Sequence, residues 1–324
     1  MRLVPGPTLF DRRLIVVAGK GGVGRTTVAA ALALAGARRG KRVLLAQTKS
    51  KERLGHLLGR AAIGEEIVRI DERLSAVNMT PEAALREYGM MILRSTLIYK
   101  AVFENKVARA FIRAIPGVED YSMLGKVWFH TTEMEHGRPR FDLVILDGPA
   151  TGHILTLLSI PQAIIEAVPE GPLTRDAHLA RSLMTDPART QVVLVTLAEE
   201  MPVNESVELA GKIRSRVGMH LGPLIVNQLY PPRFVAGPSA QALAQLPERM
   251  DEGLIGPLLT RARIAQRRRA LNDRYLEKLR GALDLPQVQL PYLFAPDFNR
   301  AAVEDLSRRL EGQVVSLAEA AEVA

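Results

Sequence analysis

Residues 13–40 read RLIVVAGKGGVGRTTVAAALALAGARRG. The run LIVVA (14–18) is apolar and rich in β-branched residues, as a short buried strand is, and VAAALALAGARRG (28–40) is a helix former that closes on Gly40. Between them, GKGGVGRTT (19–27) places glycines at 19, 21, 22 and 24. Such a turn lets backbone N–H groups converge on phosphate oxygens, and the helix behind it adds the positive end of its dipole. The pattern G-x-x-x-x-G-[KR]-T is met by Gly19, Gly24, Arg25 and Thr26, and Thr26 carries the hydroxyl that such loops use on Mg2+. The candidate nucleotide-binding residues are therefore Gly19, Lys20, Gly21, Gly22, Val23, Gly24, Arg25, Thr26 and Thr27. Arg25 stands where a phosphate-gripping lysine belongs, so hydrolysis and binding have to be argued separately.

Outward from this stretch, strands alternate with helical segments. KRVLLAQ (41–47), FDLVILD (141–147), QVVLVTL (191–197) and GPLIVNQ (222–228) are apolar runs, each ending where polar or small residues begin. Near-continuous apolar strands separated by helices predict a parallel sheet covered on both faces. With right-handed crossovers this is a doubly wound, mostly parallel α/β fold of the P-loop NTPase type, whose ligands bind at the carboxyl ends of the strands. Between 80 and 138 the rhythm turns to helix only, opening on Thr80 as N-cap and Pro81 at the first helical position and broken at Pro116-Gly117. This segment reads as a helical subdomain inserted in a domain spanning 13–320, behind an N-terminal tail of residues 1–12. Further helical stretches are expected at about 238–283 and 298–320.

Composition sets outer limits. The 324 residues contain 47% apolar and 24% charged residues, ordinary for a globular chain with a sizeable core. No cysteine is present, which excludes disulfides, thiolate zinc sites and cysteine nucleophiles and fits a reducing cytoplasm. No apolar run reaches the ~18–20 residues of a membrane span, and MRLVPGPTLFDRR lacks the pattern of a signal peptide. The net charge of +8 raises nucleic acid as a partner, but ARRGKR (37–42) and RARIAQRRR (261–269) lie among interleaved carboxylates and no recognition motif accompanies them. Solvated helix faces account for them, and nucleic acid is disfavoured.

Three further stretches carry a resemblance. Lysine directly after the first glycine, here Lys20, resembles the deviant Walker A loop of the MinD, ParA, nitrogenase iron protein and ArsA class. LVILDGPATGHILTLLSIP (143–161) resembles the switch II of ArsA-type anion-pump ATPases and of their relatives that target tail-anchored membrane proteins. LSAVNMTPEAALREY (74–88), which resembles that family's lead into its helical subdomain, VTLAEEMPVNESVEL (195–209) and GPLIVNQLYP (222–231) are similar as well. The resemblance runs from about residue 12 to 230. It implies ATP or ADP with Mg2+ as cofactors, Asp147 acting on the metal through water, and Gly148, Pro149, Gly152 and His153 as a loop answering to the γ-phosphate. It further implies Asn227, beside Gln228, at the adenine, and Lys20 reaching the phosphates of a facing chain in a dimer.

The departures from that pattern matter equally. The arsenite-binding cysteines and the C-x-x-C zinc clasp known in parts of the family have no counterpart here. Aligned through RVLLA and LGHLL, QTKSKERLGHLL puts Lys49 at the switch I position where the family has a water-orienting aspartate. With Arg25 and Lys49 in these places, binding is expected to survive and hydrolysis to be slow; Lys20, Arg25 and Asp147 are the candidate catalytic residues. Three functional readings follow. The first is an ArsA-like ATPase whose nucleotide state controls a dimer and a partner or client. The second is a non-hydrolysing subunit pairing with an active homologue. The third is a ParA/MinD-type positioning ATPase, which the mildly amphipathic, rather acidic C-terminus disfavours. Met90, Met91, Met123 and Met134, with Phe103 and Phe111 among other apolar residues, suit either a client groove on the helical subdomain or an ordinary buried face.

Overall fold

The computed structural model describes residues 8–48, 54–93, 118–232, 240–241 and 256–323. Ten strands are found among them: β1 (Leu14–Gly19), β2 (Val43–Thr48), β3 (Val68–Arg69), β4 (Leu74–Met79), β5 (Met134–Glu135), β6 (Arg138–Pro139), β7 (Leu143–Asp147), β8 (Thr190–Leu197), β9 (Leu224–Leu229) and β10 (Gln287–Pro291). Eight form one sheet in the order β10-β9-β8-β1-β7-β2-β4-β3. Every pairing in it is parallel except that of the edge strand β3 with β4. The expected doubly wound α/β architecture is what the chain adopts.

Alternation along each strand divides the core into two layers. From β1, Leu14, Val16 and Ala18 join one apolar cluster while Ile15 and Val17 join the other. Strand β7 splits the same way, Val144 and Leu146 against Leu143 and Ile145. One face is covered by α1 (Arg25–Arg38), α2 (Leu54–Leu57) and a long C-terminal helix, Arg300–Val323. Helix α1 is apolar all round, with each residue from Val28 to Gly36 buried, as a helix squeezed between a sheet and a second helix must be. At Gly36 an added Cβ would lie 3.1 Å from Val43 and 3.2 Å from Leu143, so glycine sets how closely α1 lies on the sheet.

The opposite face carries α3 (Pro81–Leu93), α4 (Val118–Thr132), α5 (Thr151–Ala167), α6 (Pro172–Thr185), α7 (Glu200–Lys212), which runs into a short π-helical turn, and α8 (Gly256–Ala282); the C-terminal helix is α9. Helix α3 starts as expected, with Thr80 Oγ1 accepting from the Ala83 N–H at 3.3 Å and Pro81 in the first turn. The segment is not helical to residue 138. Its end folds back as the β5–β6 hairpin, because His136 (φ 51°) and Gly137 (φ 76°) both take the left-handed conformation of a two-residue turn. Residues 74–79, read above only as the lead into the helical subdomain, form strand β4 beside β2. Of the apolar residues considered for a client groove, Met123 is buried in the core and Met134 stands exposed on the hairpin. Phe103 and Phe111 lie outside the described residues.

Candidate functional site

Sheet register gathers the polar ends of the strands. β7 lies between β1 and β2, pairing Asp147 with Val17 on one side and with Gln47 on the other. On the far side of β1, Gly19 pairs with Val195 of β8, and Leu197 of β8 pairs with Asn227 of β9. The glycine-rich loop leaves β1 in the middle of this row and enters α1 at Arg25, behind Gly24 in the left-handed conformation (φ 89°) and without a side-chain cap. The first N–H groups of α1 are thus left for a ligand. Residues Gly22, Gly24, Arg25, Thr26, Thr27, His56, Leu57, Gln228, Asp297 and Phe298 line a cleft of about 730 Å3 above the loop. That is within the range of small-molecule sites.

Two glycines of the loop are enforced by contact. A Cβ on Gly19 (φ 155°) would lie 2.3 Å from the Val195 carbonyl oxygen, and one on Gly24 would lie 2.3 Å from Asn227 Nδ2. Val23 is buried and pins the loop to the core.

At the floor of the site, Asp147 accepts from Thr26 Oγ1 at 2.6 Å and from Gln47 Nε2 at 2.8 Å, both on Oδ2. Gln47 Nε2 also lies 3.3 Å from Thr26 Oγ1, and Thr48 Oγ1 donates to the Asp147 carbonyl at 3.3 Å. Burial pushes the Asp147 carboxyl above its ordinary value, and the bonds from Thr26 and Gln47 and the charge of Arg25 pull only part of the way back. Arg25 is half-buried; desolvation lowers its guanidinium from the ordinary value and Asp147 raises it in part. Its Nη1 donates to the carbonyl oxygen of Gly148, which ties the glycine-rich loop directly to the loop after β7. Gln47 is 1% exposed, and its Oε1 is buried with no partner among the described residues. A buried amide oxygen without a donor costs about 1–3 kcal/mol, so Oε1 is an acceptor that a bound ligand or its water can use. Its oxygen donors, one hydroxyl, one carboxylate and one amide, are the chemistry that a hydrated Mg2+ takes, so the residues present fit that ion.

Gly148 sits where an added Cβ would lie 2.5 Å from Ile154 Cδ1, while Pro149 follows it and Gly152 and His153 are exposed on the first turn of α5. Lys20 Nζ pairs with Glu205 Oε1 of α7 at 2.6 Å, each side chain about one-third exposed. Asn227 Nδ2 donates to the Val23 carbonyl at 3.0 Å with the residue 4% exposed, so this amide braces the loop from beneath, whereas its neighbour Gln228 (φ 57°) faces the cleft. Lys49 lies outside the described residues. Sequence reasoning missed Gln47, Glu205, His56 and Asp297, the last two 3.5 Å apart (Nε2 to Oδ1) and both lining the cleft. For Gln47 a signal existed: it is the polar residue that ends the buried run VLLA.

His130 is structural. It is buried on α4 with Nδ1 2.9 Å from Glu133 and its ring edge-on to Phe129 and Phe141, and desolvation lowers its pKa against the pull of Glu133. No helix among the described residues is long and apolar enough to cross a membrane.

Comparison with known proteins gives a concordant picture. Residues 12–170 match the family model described as anion-transporting ATPase. The chain is 28% identical over 225 residues to the ATPase BagA of Mycobacterium tuberculosis, covering 68% of this chain and 66% of that protein. It is 28% identical over 255 residues to an arsenical pump-driving ATPase of Escherichia coli, covering 71% of this chain and 43% of the other. The ATPase GET3 of Kluyveromyces lactis is 25% identical over 270 residues, 72% of this chain and 77% of that one. The matched region thus spans just under two thirds of the mycobacterial relative and less than half of the arsenical pump protein.

Proposed function

The chain belongs to the ArsA-type ATPase family, and from that premise we propose that it binds Mg·ATP and Mg·ADP in the cleft above residues 19–27, hydrolyses ATP slowly by itself, and works as half of a dimer. The observation that carries the reading is that Arg25 and Thr26, which line the cleft at the start of α1, are tied to the end of β7, Thr26 to Asp147 and Arg25 to Gly148. The loop N–H groups and the α1 dipole would hold the phosphates. Thr26 and Asp147 would hold the metal, Asp147 through water. When bound, Mg2+ supplies charge neutralisation at the phosphate oxygens. At the adenine end Gln228 already faces the cleft, and a contact from Asn227 requires its amide to turn from Val23.

Arg25 supports a specific form of coupling. In the described state its guanidinium holds the Gly148 carbonyl. A γ-phosphate would compete for the same fork, since a guanidinium favours a charged oxyanion over a neutral carbonyl. Drawing Arg25 to the phosphate frees the loop after β7, so nucleotide state is transmitted to Gly148, Pro149, Gly152 and His153. Slow turnover follows from Lys49, where the family carries a water-orienting carboxylate. Loss of such a group removes on the order of 10²–10⁴ in rate, while positioning and charge stabilisation remain. The dimer partner is a second copy or a homologue with intact loop lysine and switch aspartate, toward whose phosphates Lys20 would turn from Glu205. A protein client on the helical subdomain belongs to the same reading.

Calorimetry with Mg·ADP tests the site: Thr26→Ala and Asn227→Ala should each weaken binding, and parent-like affinity in both would place the nucleotide elsewhere. Steady-state ATPase tests the chemistry: Lys49→Asp, alone and with Arg25→Lys, should raise the rate. A parent turnover of several per second that these substitutions leave unchanged or lower would overturn the slow-hydrolysis reading.

A further inference from the structure

We propose that Gln47 is the positioning residue of the magnesium site, its Oε1 accepting from water held on the bound metal while its Nε2 fixes Asp147. The inference rests on the nucleotide reading above and adds to it a residue at the end of β2 that belongs to neither the glycine-rich loop nor the loop after β7.

The two ends of this amide are in opposite conditions. The donor end is fully used: Nε2 is 2.8 Å from Asp147 Oδ2 and 3.3 Å from Thr26 Oγ1, the two atoms assigned to the metal. The acceptor end has nothing: Oε1 is buried and has no partner among the described residues. With Nε2 committed, the amide cannot turn over to satisfy its oxygen without breaking its bond to the carboxylate. Flanking β-pairing gives the residue no freedom to move away, since Gln47 is paired with Asp147 on β7 and with Asn78 on β4. A buried acceptor locked beside a hydroxyl and a carboxylate calls for a donor that arrives with the ligand. A water on a divalent cation is such a donor, and its acidity makes the bond to a neutral amide oxygen a strong one.

The amide also settles a charge question. A carboxylate at this position would stand against Asp147 at hydrogen-bonding distance, and two anions that close repel in the absence of metal. Glutamine keeps the acceptor while leaving Asp147 the only carboxylate in hydrogen-bond contact with Thr26 among the described residues. Gln47 therefore orders the site before the metal arrives and completes the metal's outer sphere afterwards.

The probe is Mn2+ in place of Mg2+, read by electron paramagnetic resonance on the ADP-loaded full chain, beside calorimetry of ADP alone in EDTA. Gln47→Met keeps length and burial and removes both amide functions. It should weaken Mn2+ about 10–100-fold, the range for outer-sphere partners of a metal, with metal-free ADP affinity within about twofold of the parent. Gln47→Glu, which restores an acceptor, should recover Mn2+ affinity relative to Gln47→Met. Mn2+ affinity in Gln47→Met within twofold of the parent, with ADP still bound, overturns the proposal alone. A parent that binds no ADP in EDTA or with Mn2+ overturns the nucleotide reading and this proposal together.

Discussion

Replacing Asp147 by asparagine should stabilise the ligand-free chain and abolish its response to metal. Asparagine has nearly the same shape, and its Oδ1 can take both bonds that Oδ2 now accepts, from Thr26 and Gln47. What is removed is a negative charge on a residue 4% exposed, compensated by two neutral donors and by an arginine whose Nη1 is engaged with Gly148. Relief of such a poorly compensated buried charge is worth about 1–2 kcal/mol after loss of the attraction to Arg25. For a chain of this length the unfolding entropy makes that about 1.5–3 °C in Tm.

The pH dependence follows from the sign of the shift. The Asp147 carboxyl titrates above its ordinary 3.8 in the folded chain, so its ionised form is the disfavoured one. Below 3.8 both folded and unfolded chains hold the proton, and parent and variant should converge. The penalty on the parent grows as pH rises through the interval and is complete above the folded value. Scanning calorimetry in EDTA should therefore find the variant's advantage at pH 7 and a smaller one at pH 4.5. Adding Mg·ADP should reverse the order: a ligand at 100 times its Kd stabilises the parent by about 2.7 kcal/mol, and the variant should lose the metal-dependent part. A variant that melts lower than the parent at pH 7 in EDTA would refute the reasoning, because the carboxylate would then be a stabilising partner of Arg25 and Thr26.

Three further outcomes are expected. Gly24→Ala forces a side chain into the left-handed backbone at φ 89° and onto Asn227, and should lower stability by about 1–3 kcal/mol in a denaturant titration while weakening ADP binding. Lys20→Ala removes a pair with Glu205 that is about one-third exposed on each side, so stability should fall by less than about 1 kcal/mol, whereas ATP-dependent dimerisation, read by sedimentation velocity, should be lost. Asp142 should respond to pH in the opposite sense to Asp147. Burial raises its carboxyl, but the Arg42 side chain at 2.7 and 3.0 Å and the Arg42 N–H at 2.8 Å outweigh this and hold it below 3.8. Its stabilisation is complete above 3.8 and lost as pH falls through the lower folded value, so Asp142→Asn should cost about 1 kcal/mol at pH 7 and progressively less in acid, by calorimetry.

The local grammar of residues 13–40 was legible because every element of it is a short-range effect: β-branched residues before a turn, glycine where backbone crowds backbone, alanine and leucine where a helix is buried on all sides. The five strands read from apolar runs were found for the same reason. Strand β10 escaped notice because QVQLP alternates at a sheet edge, and β4 because LSAVNM was read only as the lead into the helical subdomain. The β5–β6 hairpin turned on His-Gly, a weaker turn signal than asparagine or aspartate before glycine.

The site itself depended on something a linear reading cannot hold, namely which strand stands beside which. Strands β1 and β2 are consecutive and joined by α1, and sequence order alone would set them side by side. They are instead separated by β7, which arrives about a hundred residues after β2 and pairs with both. That insertion places Asp147, 121 residues from Thr26 and 100 from Gln47, within hydrogen-bond reach of each. A motif reading found Thr26 and Asp147 because each carries a local pattern of its own. Gln47 has no motif; its meaning is created only when β7 slides between the first two strands and brings a carboxylate to one end of its amide. The other end, a buried acceptor with no partner among the described residues, is why Gln47 rather than the better-marked glycines of the loop tells what the site can take.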